Sequence, residues 1–253
     1  MPYLSRVPLN PLRRHTQRLL TSPQRLHAEV LGGLPEHLPG ERVLWRLDPG
    51  ATVRSGQSMP GLDVGSPHVS QLYVLTQRHP SWAKLVDDAG WPDADGGAAD
   101  VRDYESLLGL VVNGREFSFR LRANPVWRTR NPQTPTDSQT SALTGSRARG
   151  VRVAALSAES QLQWLVERTR EDHAVWGFSV EGEDSHPRAQ VVARNQERFR
   201  RRPGDAPVTI RSATYEGLLT VVDADRMRES LVSGVGGGKA YGCGLLTLAP
   251  GRR

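Results

Sequence analysis

Between residues 231 and 250 the chain reads Leu-Val-Ser-Gly-Val-Gly-Gly-Gly-Lys-Ala-Tyr-Gly-Cys-Gly-Leu-Leu-Thr-Leu-Ala-Pro. Six glycines, Gly234, Gly236, Gly237, Gly238, Gly242 and Gly244, join a helical pattern at 224–231 to an apolar run at 245–248, with Lys239 among them. At this density a backbone can enter positive-φ turns, approach a neighbour closely and turn its N–H groups outward. An anionic guest is the expectation. Two nucleotide-binding motifs nevertheless fail on spacing. The P-loop pattern G-x-x-x-x-G-K-S/T finds Gly238-Lys239, but Ser233 stands where its first glycine belongs and Ala240 where its hydroxyl belongs. The dinucleotide pattern G-x-G-x-x-G meets Lys239 or Tyr241 in place of its last glycine. Both motifs also run from strand to helix, whereas this loop runs from helix to strand. No nucleotide cofactor is expected.

The charge says what kind of anion to look for. A net charge of +6 suggests a polyanionic partner. Residues 120–150 hold six arginines against one acid, Asp137, and Arg198, Arg200, Arg201 and Arg202 place four more within five positions. Only two of the 33 basic residues are lysines, Lys84 and Lys239. No apolar run approaches the ~20 residues of a membrane span, and the opening Met1-Pro-Tyr-Leu-Ser-Arg-Val lacks the layout of a signal peptide. A cytoplasmic protein is expected. The single Cys243 excludes an internal disulfide and a cysteine-based zinc site, and reads as a small buried apolar residue.

At 253 residues the chain suits one large or two small domains. Residues 4–9, 42–47 and 71–76 read as strands. Thr21-Ser22-Pro23 opens a helix over 24–31 that ends at Gly32-Gly33. On it Leu26 and Val30 share a face, and His27 lies at that face's margin. Residues 115–124 alternate, with Phe117, Phe119 and Leu121 on one side and Ser118, Arg120 and Arg122 on the other, which predicts an apolar back and a basic front. Residues 132–145 are rich in Pro, Thr and Ser and read as a flexible loop. Beyond them come a strand at 151–154, a helix over 157–170 and strands at 175–180, 189–199 and 208–222, the last with a bulge expected at Gly217. A helix over 223–231 and the final strand follow. The expected class is therefore α+β, with two tandem ferredoxin-like (RRM-like, β-α-β-β-α-β) domains. Their expected extents are 1–125 and 150–253, joined by a linker at 126–149.

With these residues in view, the chain resembles the CasE family of type I-E CRISPR-associated endoribonucleases over nearly its whole length. The glycine-rich stretch from Gly234 to Pro250 is similar to the family's signature. Tyr3-Leu-Ser-Arg-Val, Phe119-Arg-Leu-Arg-Ala-Asn-Pro125 and Gln163-Trp-Leu fall in matching order. The resemblance implies two ferredoxin-like domains that grip a CRISPR RNA repeat stem-loop, cut at the 3′ base of its stem, and stay with other Cascade subunits. It places the catalytic histidine at His27, in the segment Ser22-Pro-Gln-Arg-Leu-His27. Gln24 departs from the pattern, since well-known members carry tyrosine there. A glutamine can orient by hydrogen bonds but cannot exchange a proton.

RNA cleavage without a metal needs in-line attack by a 2′-OH, a group that takes its proton and another that protonates the leaving 5′-oxygen or offsets charge. Histidine suits either proton task at neutral pH. His27 is thus the catalytic candidate, with His15 the nearest rival. Arg25 and Lys239, with Gly236 and Gly238 beside it, are candidates for phosphate contact. Arg198, Arg200, Arg201 and Arg202 suit an arm entering an RNA groove, and Arg120 and Arg122 a nucleic-acid platform. The carboxylate groups lack paired spacing, and no metal is expected. Two other readings stay open: a hairpin-binding subunit that does not cleave, and an unrelated RNA-binding protein with tandem ferredoxin-like domains. The second lacks an RNP1-like aromatic motif.

Overall fold

The computed structural model describes residues 1–35, 41–50, 69–134, 136–144, 150–182, 186–200 and 204–251. Its elements are β1 (Tyr3–Leu9), α1 (Arg14–Leu20), α2 (Pro23–Gly32), β2 (Leu44–Asp48), β3 (Ser70–Thr76), α3 (Ala83–Ala89), β4 (Asp100–Asp103), α4 (Glu105–Leu108), β5 (Glu116–Ala123), β6 (Val126–Thr129), α5 (Asp137–Thr144), β7 (Val151–Ala154), α6 (Ala158–Thr169), β8 (Phe178–Ser179), β9 (Ala189–Phe199), β10 (Val208–Val221), α7 (Ala224–Ser233) and β11 (Leu246–Pro250).

Two antiparallel sheets carry the molecule. The first has the order β2-β3-β1-β4 and the second β11-β5-β10-β8, with β9 paired to β10. Numbered within each unit, both orders are 4-1-3-2, the ferredoxin-like arrangement, in which a helix connects the first strand to the second and another the third to the fourth. The expected fold class is what the chain adopts. The expected boundary at residue 125 does not match the strand pairing, because β5 lies in the second sheet, between β10 and β11. The first sheet closes with β4 at Asp103, so the change of sheet falls before Glu116. The expected linker at 126–149 also holds structure: β6 pairs with β7 as a separate ribbon, and α5 is a polar helix.

Local chemistry explains the helices that frame the site. Ser22 Oγ caps α2 by accepting from Arg25 N at 3.4 Å, and Pro23 follows where a missing N–H costs nothing. Leu26 and Val30 are its buried face, packed among Leu19, Trp45, Leu72 and Val74 of the first core. Asp223 Oδ1 caps α7 by accepting from Arg226 N at 3.0 Å, and a capping box of Ser157 and Ser160 opens α6. The bulge in the long ribbon lies between Thr214 and Tyr215 and not at Gly217. Gly217 is required for another reason: a Cβ there would stand 2.0 Å from the carbonyl oxygen of Arg188.

The two units are not separate beads. Leu44 and Leu75 of the first sheet belong to the same buried cluster as Phe119, Leu121, Tyr215 and Leu246 of the second. Arg46, only 2% exposed, crosses the seam from β2. Its Nη1 donates to the Arg120 carbonyl at 2.9 Å, to Thr247 Oγ1 at 2.9 Å and to the Leu245 carbonyl at 3.3 Å, while Nε and Nη2 grip Asp48. Beside it an open cleft of about 820 Å³ separates the sheets.

Candidate functional site

The glycine loop is built against the first unit. Gly234, Gly236, Gly238, Gly242 and Gly244 all take positive φ. At Gly242, with φ 74°, a Cβ would lie 2.6 Å from the rigid Trp45 ring. Lys239–Tyr241 form one 3₁₀ turn bounded by the left-handed Gly238 and Gly242, and a bridge between Gly237 and Asn124 ties the loop to the end of β5. Gly236 lies over Trp164 of α6, whose Nε1 donates to the Val126 carbonyl at 3.2 Å.

His27, half-buried on α2, meets this loop through Trp45. The indole Nε1 donates to His27 Nδ1 at 3.2 Å, and the two rings lie 24° from parallel with centroids 6.5 Å apart. His27, Leu31, Arg42, Val43, Lys239 and Ala240 line one small cavity of about 140 Å³, together with Glu41. Helix α2 of the first unit and the glycine loop of the second therefore bring a histidine and a lysine, 212 positions apart in sequence, to one recess. Lys239 Nζ donates to the Gly236 carbonyl at 2.8 Å. Its pKa is lowered from the ordinary lysine value, first by burial and then by the neighbouring Arg42 charge.

The β9–β10 ribbon reaches the same place. Phe199, at the end of β9, packs on Tyr241 with ring centroids 4.8 Å apart. The exposed Arg198 and Arg200 flank that phenylalanine. Arg201 and Arg202 lie outside the described residues. Arg25 is exposed on α2, two positions before His27. His15, the rival histidine, is engaged with Glu29 Oε1 at 3.1 Å and ties α1 to α2.

Arg120 and Arg122 are placed differently from expectation. Phe117, Phe119 and Leu121 are buried as the alternation predicts, but the opposite face is not an open basic front. Arg122 is 6% exposed, with Nη2 on Glu197 Oε1 at 2.7 Å and Nε on Ser212 Oγ at 3.1 Å, so it anchors the β9–β10 ribbon to β5. Arg120 faces the inter-sheet cleft, pairing with Glu216 at 3.0 Å and Asp48 at 3.5 Å. Cys243 is fully buried, and burial pushes its thiol up to about 11, which suits a packing role. Among the described residues no three His, Cys, Asp or Glu side chains are grouped to hold a metal ion. Sequence reasoning missed Trp45, Arg42 and the Phe199–Tyr241 pair. Their roles depend on contacts between units, and a single sequence carries no signal for those.

The fold and this recess define a class: a tandem ferredoxin-like protein with a helical histidine set against a glycine-rich loop. A family model described as CRISPR associated protein matches residues 2–250. The chain belongs to that family, within its CasE/Cse3 group. It is 30% identical over 257 residues to the CRISPR-associated endoribonuclease Cse3 of Thermus thermophilus, covering 98% of this chain and all of that one. It is 32% identical over 167 residues to the CRISPR system Cascade subunit CasE of Escherichia coli, covering 66% of this chain and 73% of that one. A solved structure of CRISPR endoribonuclease Cse3 bound to 19 nt RNA superposes with a TM-score of 0.67 at 26% identity, covering 98% of this chain and 99% of that one.

Proposed function

We propose that this protein is a metal-independent endoribonuclease that cuts CRISPR precursor RNA at the 3′ base of the repeat stem-loop and then stays on the hairpin as a Cascade subunit, in the cytoplasm. The observation that carries this is the shared recess of His27 and Lys239, reached by an arginine-bearing ribbon. In the reaction a 2′-oxygen attacks the adjacent phosphorus and the bond to the 5′-oxygen breaks. The products are a 2′,3′-cyclic phosphate and a 5′-OH, and the proton lost at the 2′-oxygen is balanced by one gained at the 5′-oxygen. His27 is the proton-handling group. Lys239 offsets phosphorane charge, with Arg25 and the amides near Gly236 and Gly238 in support. Arg198 and Arg200, with Arg201 and Arg202 next in sequence, hold the stem through phosphates and guanine edges. Arg120 and Arg122 serve this arrangement by holding the cleft and the ribbon. Among the described residues no helix is long and apolar enough to cross a membrane.

The names of the relatives, an endoribonuclease and a Cascade subunit, agree with this reading. Gln24 gives the alternative, a hairpin-binding subunit that does not cut, its one specific support. Incubating a repeat stem-loop with the protein in EDTA, beside His27→Ala, decides between them. The proposal expects cleavage in EDTA, with a loss of about 10²–10⁴-fold in the variant while binding persists. Tight binding without cleavage by the unaltered protein would sink it in favour of the alternative.

A further inference from the structure

The bond from Trp45 to His27 decides which ring nitrogen carries the histidine's proton, and the cleavage scheme above makes no use of it. An indole N–H can only donate. With Trp45 Nε1 3.2 Å from His27 Nδ1, that nitrogen accepts and carries no hydrogen. In a neutral imidazole the single proton then lies on Nε2. Placing a proton on Nδ1, by tautomer exchange or by charging the ring, would set two N–H donors against each other.

Trp45 is poorly able to turn aside. It is 1% exposed, belongs to the first core, and has the Gly242 backbone against its six-membered ring, where even a methyl group would collide at 2.6 Å. Two units therefore meet on one indole. The first supplies its packing, and the glycine loop of the second closes over it.

We propose that Trp45 is a positioning residue for His27: it fixes the Nε2–H tautomer and the orientation of the ring, and the glycine loop holds Trp45 to that task through Gly242. The proposal rests on the reading of His27 as the catalytic residue. Its chemical consequence is directional. In that form the neutral ring can only donate, through Nε2: His27 serves the developing charge on the leaving 5′-oxygen, another group takes the 2′-OH proton, and the ring gains a further proton only at Nδ1, after the Trp45 bond breaks. The glycine signature then contributes to catalysis by a route that needs no contact between glycine and substrate.

The test begins with the RNA-free protein. Two-dimensional ¹⁵N–¹H NMR of histidine-labelled protein, with the His27 signals assigned by their loss in His27→Asn, should show Nδ1 unprotonated and Nε2 protonated. In Trp45→Phe, which keeps a buried ring and removes the donor, the signals should move toward a mixture of tautomers. The same variant should lose about tenfold or more in kcat with KM little changed, since rings that carry the proton on Nδ1 or turn out of place lose the Nε2–H donor, and with it part of the roughly 10²–10⁴ that such a group supplies. A His27 ring protonated on Nδ1 in the unaltered protein overturns the proposal, whether or not Trp45→Phe folds. A well-folded Trp45→Phe with unaltered kcat overturns it too. If the unaltered protein shows the Nε2–H tautomer yet cuts no RNA, the nuclease reading has failed and the tautomer assignment stands, so the two failures are distinguishable.

Discussion

Lys239 is a cation kept partly from water, and the sign of its shift has a measurable consequence. Burial and the Arg42 charge both favour the neutral amine, so its pKa lies below the ordinary 10.5. Its charge is present below the lowered value and is lost as pH rises through it. In the alkaline window beneath 10.5, RNA binding by the unaltered protein should fall off sooner than binding by Lys239→Arg. The ratio of the two dissociation constants, followed against pH, checks this; a constant ratio would remove Lys239 from the phosphate contacts. The charged form is also the one the fold disfavours, so the contribution of this residue to stability rises with pH. Two glycines give a second comparison. Gly242→Ala combines a left-handed backbone with a 2.6 Å clash on Trp45 and should cost about 2–4 kcal/mol, whereas Gly114→Ala, with φ 80° and nothing within 4 Å, should cost about 1 kcal/mol. Thermal melts of the pair separate close approach from backbone strain.

The arginines on and against the β9–β10 ribbon are of two kinds that a sequence cannot distinguish. Arg198 and Arg200 are solvated at its far end, while Arg122 of β5 is buried against its Glu197. Replacing Arg198 or Arg200 by alanine should weaken stem-loop binding and lower the slope of log K against log salt by about one per lost phosphate contact. Arg122→Ala should leave that slope unchanged and lower stability by about 1–3 kcal/mol, because Glu197 keeps its place without its partner. Here lies the limit of what the chain discloses about itself. The alternation of Phe117, Phe119 and Leu121 correctly identified the strand and its buried face, because that pattern is local. What covers the opposite face is not local: Glu197 and Ser212 arrive from 75 and 90 residues away. Helix α5 was missed for a different reason. It has no apolar stripe, and its turns are tied by Thr140, Ser141 and Thr144 hydroxyls bonding back to carbonyls one turn earlier, so composition alone reads as loop. His27 was legible through its segment and the resemblance that segment carries, but the indole that orients it was not.

Across the whole molecule, Arg46 fastens the two units together with three bonds from β2 to the second unit. Arg46→Ala removes three bonds to the second unit and leaves Asp48 with only the 3.5 Å approach of Arg120, so a loss of about 3–5 kcal/mol is expected. Differential scanning calorimetry should show one transition in the unaltered protein and a broadened or split one in the variant, the two cores having lost their common fastening. The Arg46–Asp48 pair also has no net charge and lies largely out of solvent, whereas the ribbon arginines are in it. Added ions screen exposed charges far more than buried ones. A wash in strong brine should therefore strip RNA from the protein while the seam holds, and the same preparation, returned to dilute buffer, should bind again with no refolding step.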